Sequence, residues 1–145
     1  MFKIEAEKNF VQMISTLDVE IVKRSHKNVP YNKAMNYLKY WSKGINKILV
    51  AYEVALNKVH FKFPDFLLLY NNKSLRIEIK DKESEQTIAK EINSIDKFKE
   101  NEFWFILSEH LDKDKVLTYA TKKDVRIKVM YANSKVLDMI QKFFI

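Results

Sequence analysis

Apolar positions along this chain recur with two periods, and the change from one to the other divides it into helices and strands. Residues 4–17 and 19–26 repeat at helical spacing, the second segment following Asp18 as a candidate N-cap. Val29-Pro30 breaks the pattern, after which Tyr31, Ala34, Met35, Leu38 and Trp41 carry a third helix up to Gly44, the only glycine. Residues 47–56, 59–70 and 73–82 are instead dense in β-branched, Leu and aromatic side chains and predict three consecutive strands. Ser84 then caps a helix with Ile88, Ile92, Ile95 and Phe98 on one stripe. The apolar run Phe103-Trp104-Phe105-Ile106-Leu107 predicts a buried strand within 102–108, residues 112–123 read as either helix or strand, 125–131 predicts a strand, and a terminal helix from Ser134 carries Val136, Leu137, Ile140, Phe143 and Phe144.

Turn chemistry sets the registers. Asn71-Asn72 suits the positive φ of a two-residue type I′ turn, so Tyr70 pairs with Lys73 and Asp65 falls opposite Glu78. A second tight turn at Asn57-Lys58 pairs Leu56 with Val59, which places Val50 opposite Asp65 and Glu53 opposite Lys62. In that register Ile48, Val50, Tyr52, Phe61, Phe63 and Leu67 share a face with Asp65, Glu78 and Lys80. Leu49, Ala51, Phe66, Leu68, Leu75, Ile77 and Ile79 share the other. Both faces are mostly apolar, which predicts a sheet with helices on either side.

The chemistry sits on the second hairpin. Directly opposed carboxylates have Cβ atoms about 5 Å apart and repel. A hard cation that takes oxygen ligands turns that repulsion into coordination. Lys80, two residues beyond Glu78, projects to the same face, so Asp65, Glu78 and Lys80 converge.

Pro64-Asp65, twelve intervening residues and Glu78-Ile79-Lys80 resemble the signature of the PD-(D/E)xK nuclease superfamily, most closely its Holliday junction resolvases and phage junction-resolving endonucleases. The resemblance covers residues 31–131 as an order of elements and matches Asp65, Glu78 and Lys80 as residues. It implies an α/β, restriction-endonuclease-like αβββαβ core, a mixed central sheet flanked by helices, in one domain spanning 1–145. Residues 1–30 would be a helical extension, 31–131 the core and 132–145 a C-terminal helix. It further implies a divalent-metal-dependent endonuclease cutting DNA phosphodiesters, junction-selective or, alternatively, sequence-specific. Asp65, Glu78 and the backbone carbonyl of Ile79 would bind Mg²⁺, or Mn²⁺ in its place, and Lys80 would orient or deprotonate the attacking water. Lys82, Gln86 and Lys90 would reach phosphates, helped by the free N–H groups of the helix after Ser84. Cutting two strands takes two sites, so a homodimer is expected, with Ile140, Phe143 and Phe144 as its apolar interface.

The chain departs from the pattern in one respect. A further Glu is often supplied by the helix before the first strand, yet residues 31–44 contain no acid, leaving Glu20 or Glu53 as substitutes. A cap-snatching type of RNA endonuclease, with His26 as an added ligand, and a binding protein that keeps the fold without catalysis are the alternative expectations.

Composition narrows these classes. The net charge is +7 and the pI about 9.4, which favours a polyanionic partner; the resemblance implies DNA ahead of RNA. No cysteine is present, which excludes disulfides, thiolate metal sites and cysteine nucleophiles. His26, His60 and His110 are too scattered for a zinc motif. With no apolar run near the roughly 18 residues of a membrane span and no signal-peptide pattern, a cytoplasmic protein is expected. The aromatics Tyr31, Tyr37, Tyr40 and Trp41 suggest base stacking, but their helical spacing points at least half of them to the core.

Overall fold

A computed structural model describes residues 5–24, 31–53 and 64–145. In chain order the elements are α1 (Glu5–Ile14), β1 (Val19–Arg24), α2 (Tyr31–Ser42), β2 (Ile48–Glu53), β3 (Phe66–Tyr70), β4 (Lys73–Lys80), α3 (Glu85–Ser94), β5 (Glu102–Leu107), α4 (Lys113–Lys123), β6 (Ile127–Tyr131) and α5 (Lys135–Phe144). The strands form one six-stranded sheet in sequence order. β1 is parallel to β2, the pairs β2–β3 and β3–β4 are antiparallel, and β4, β5 and β6 run parallel. From α2 to β5 the order is helix, three strands, helix, strand.

Side-chain alternation feeds three apolar clusters. Leu75, Ile77 and Ile79 of β4 join Phe66, Leu68, Val50 and Trp104 beneath Phe10 and Ile14 of α1 and Val136, Ile140 and Phe144 of α5. On the opposite face, Ala34, Met35 and Leu38 of α2 cover Leu49, Ala51, Leu67 and Leu69. α3 and α4 cover Phe103, Phe105 and Leu107 through Ile88, Ile92, Val116 and Ala120. The same alternation brings the even-numbered residues of β4 to the face of α2, α3 and α4.

Several expectations are corrected. Residues 19–24 form a strand rather than a helix: Val19 and Ile21 pack into one cluster and Val22 into the other, a two-residue period that helix-like spacing concealed. The N-terminal segment is therefore no purely helical extension, because β1 belongs to the sheet. The β2–β3 register pairs Val50 with Leu68, three residues from the expected Asp65. An odd shift moves a strand's side chains to the opposite face, so Ile48, Val50 and Tyr52 lie across the sheet from Glu78, while Leu49 and Ala51 share its side. The supposed Asn57-Lys58 turn and Lys62 lie outside the described residues.

The stripe after Ser84 stops being helical at Ile95, and Phe98 is buried from a non-helical stretch, where it meets Phe103 edge-on with ring centroids 5.7 Å apart. The ambiguous segment 112–123 resolves as α4, capped by Asp112, whose carboxylate accepts from the Asp114 and Lys115 amides. Ile140 and Phe144, expected at a dimer interface, are buried in the core, and Phe143 packs beside them against Trp104. The strong apolar stripe of α5 is consumed by the sheet.

Candidate active site on the β3–β4 hairpin

The hairpin is built as its sequence requires. Asn71 and Asn72 take φ values of 52° and 60°, and Tyr70 pairs with Lys73. The paired ladder runs to Phe66 against Ile77. One residue further the chain bends, and the Asp65 side chain replaces the next rung by accepting the Ile79 amide N–H at 2.8 Å on Oδ2. That bond explains why an ionisable side chain is tolerated at 5% exposure. It also involves Ile79 through its N–H, whereas the expected role for Ile79 is through its carbonyl.

Asp65 and Glu78 are brought together as expected, close enough for the charge of one to act on the other. Burial, and next the charge of Asp65, raise the Glu78 pKa to about 8, against smaller opposing effects of Lys80 and Arg76. Two buried carboxylates this near one another repel, so without a cation the pair favours holding one proton between them.

Lys80 occupies the same strand face two residues on and forms an ion pair with Glu91 of α3 at 2.5 Å. Burial lowers its pKa, but Glu78 and Glu91 outweigh that, and the net shift is upward. Lys80 is therefore held as an ammonium, suited to orienting a water or offsetting phosphate charge.

Two neighbours were not anticipated. Arg76, two residues before Glu78, places NH2 3.6 Å from Glu78 Oε1 and stacks its guanidinium 4.5 Å from the centroid of Phe103. Strand alternation alone was enough to predict that it shares the face. Glu91 left no such signal, because only the packing of α3 across the end of β4 brings it to Lys80.

The proposed additional acids are placed differently. Glu20 lies on β1 level with Leu49, which itself pairs with Leu69, about 13 Å along β3 from Asp65. Its carboxylate is 4.0 Å from Lys47. Glu20 does not complete the site. For Glu53, the expected orientation away from Asp65 loses its basis with the register correction: continuing the Ala51–Leu67 pairing by two residues brings position 53 level with position 65. The side chain of Glu53, like His26 and His60, lies outside the described residues.

Lys82, Gln86 and Lys90 are all exposed, and Gln86 and Lys90 stand one turn apart on α3. Gln86 borders a cleft of about 580 Å³ between α3 and α4. At the α3 N-terminus Ser84 Oγ accepts the Thr87 amide at 3.1 Å, which uses one of the amides expected to serve an anion, and the Glu85 carboxylate beside it accepts the Asp112 amide at 2.7 Å. At the adjacent ends of β4 and β5, Asp81 Oδ1 accepts from Ser108 Oγ at 2.5 Å and lies 3.3 Å from His110 Nε2. The serine bonds the carboxylate directly instead of an imidazole, so the trio ties two strand ends together and provides no relay to an activated nucleophile.

Among the described residues, no group of three His, Cys, Asp or Glu side chains is arranged to hold a metal ion. Two carboxylates do suffice for Mg²⁺, which keeps several waters and commonly takes one or two carboxylates together with substrate phosphate. The buried, proton-sharing Asp65–Glu78 pair fits that donor set. No family model matches the chain, and neither a curated protein nor a solved structure matches it. No helix among the described residues is long and apolar enough to cross a membrane.

Proposed function

We propose that this chain is a divalent-metal-dependent endonuclease of the PD-(D/E)xK kind, cutting phosphodiester bonds in DNA, with junctions as the favoured substrate. One observation carries the reading: two buried acids, Asp65 and Glu78, act on each other at the end of one hairpin, with the Lys80 side chain on the same strand face. Two buried acids acting on each other are electrostatically costly, and groups perturbed in this way concentrate at functional sites.

When bound by these carboxylates, Mg²⁺ or Mn²⁺ supplies Lewis-acid polarisation of a phosphate and acidification of a coordinated water. Asp65 is oriented by the Ile79 amide, and Glu78 by Arg76. Lys80, anchored on Glu91, presents a positive charge to a phosphate beside the pair. Lys82 and Lys90 extend that charge at the exposed rim. Glu53, by its register, is the candidate for a third acid. Paired cuts call for a homodimer, through a surface other than the buried stripe of α5, and the charge of +7 suits a polyanionic partner met in the cytoplasm.

The test is cleavage of labelled duplex, four-way junction, single-stranded DNA and RNA with Mg²⁺ or Mn²⁺. The expected result is metal-dependent cutting that Asp65→Ala and Glu78→Ala each abolish and that Glu53→Gln reduces. Binding without cutting of any substrate, with affinity unaltered by the substitutions, would leave a nucleic-acid-binding protein instead.

A further inference from the structure

For the aromatics of α2 the sequence offers base stacking on one side and, for at least half of them, core packing on the other. Helical spacing points at least half of Tyr31, Tyr37, Tyr40 and Trp41 inward, yet Ala34, Met35 and Leu38 fill the core, while Tyr37, Tyr40 and Trp41 are 69%, 78% and 43% exposed and the Tyr31 side chain lies outside the described residues. These three rings stand three and four residues apart and form one strip. Lys33 lies one turn before Tyr37, and Lys39 and Lys43 form a neighbouring row; all three are exposed. The chain from Tyr31 to Tyr52 contains no Asp or Glu.

Beside this strip, the C-terminal turns of α2 and the β3–β4 turn enclose a cavity of about 330 Å³ bordered by Lys39, Tyr40, Lys43, Tyr70, Asn72 and Lys73. Lys73 is already engaged there, donating to the Phe143 carbonyl at 2.9 Å. Because α2 packs along Leu67 and Leu69 with its last turn at the Tyr70 end, the strip runs from this cavity toward the Asp65 end of the sheet.

We propose that this face is a stacking platform for unpaired nucleotides, with bases on Tyr37, Tyr40 and Trp41 and phosphates on Lys33, Lys39 and Lys43. Planar rings interleaved with cations are what a single strand requires, since every base offers a π-face and every linkage a negative charge. Protein-docking faces share the Tyr and Trp but are depleted in Lys, whereas Lys33, Lys39 and Lys43 all flank these rings and no acid lies on α2. The platform is separate from Asp65, Glu78 and Lys80 and is read by binding, so it stands or falls independently of the cleavage chemistry.

The experiment is fluorescence anisotropy in EDTA with labelled oligothymidylate, oligouridylate and a blunt duplex, using the full chain. Both single strands are expected to bind more tightly than the duplex, and the ratio between them tells DNA from RNA. Tyr37→Ala, Tyr40→Ala and Trp41→Ala should each weaken single-strand binding roughly five- to a hundredfold. Tyr40→Phe should restore affinity and Tyr40→Leu should not. Trp104 is buried at 2% exposure, so quenching of tryptophan emission on binding reports Trp41. Replacing Lys33, Lys39 and Lys43 with Gln should flatten the logarithmic salt dependence by about two.

Alanine variants that fold, by circular dichroism, and bind single strands as wild type would overturn the platform. So would a sedimenting mass that falls in those variants while oligonucleotide affinity holds, which would assign the face to self-association.

Discussion

The decisive residue is Glu78, whose raised pKa ties stability to pH. An acid with a folded pKa above its unfolded value contributes stability that is fully present below the unfolded pKa and lost as pH rises through the folded one. In metal-free protein, stability should therefore decline between about pH 4.5 and pH 8. Glu78→Gln should remove that dependence, stabilising the fold at pH 8 by on the order of 1–3 kcal/mol, as thermal unfolding across pH would read. Mg²⁺ should raise the wild-type Tm more at pH 8 than at pH 6, since it competes with the shared proton, and should not raise that of Glu78→Gln comparably. Glu91 acts one step removed: Glu91→Gln frees Lys80. It should lower the cleavage rate by roughly tenfold without abolishing it, whereas Lys80→Ala should abolish it.

At the scale of elements, the β3–β4 turn is the most local device and the most legible. Both central residues need positive φ, which Asn tolerates and β-branched residues resist. Asn72→Gly should leave Tm unchanged or slightly higher, and Asn72→Val should cost about 1–2 kcal/mol in denaturant titration. The registers of β3 and β4 follow from those two residues, so the meeting of Asp65 and Glu78 was readable in advance. The β2–β3 register was not, because a longer connection separates those strands. That Val50 meets Leu68 rather than position 65 follows from burial of both faces. β1 escaped detection for a related reason, as six residues of Val, Ile and charged side chains satisfy a helix repeat until a parallel neighbour selects the alternation.

For the whole molecule, the terminal helix illustrates how far an apolar stripe leaves its partner undetermined. Val136, Ile140 and Phe144 close the cluster that also holds α1 and the centre of the sheet. Phe144→Ala should cost about 3–5 kcal/mol. It should lower Tm by about 10 °C or more without changing the sedimenting mass; a change in mass with an intact Tm would return α5 to an interface. The outer face of α2 is the converse case, where aromatic residues at core-like spacing were left outside because three smaller side chains already fill the space above β3.

By itself the chain's sequence determined which segments can form helix or strand, the turn at Asn71-Asn72, and hence the opposition of one carboxylate to another on a single hairpin. These depend on interactions a few residues apart, encoded in φ preference and side-chain period. Only the tertiary structure decided that residues 19–24 join the sheet, that Glu91 holds Lys80, that α5 faces inward and that Tyr37, Tyr40 and Trp41 face out. Each of those outcomes is a competition among distant segments for limited apolar surface, and the winner is chosen by packing, which no stretch of the chain encodes alone.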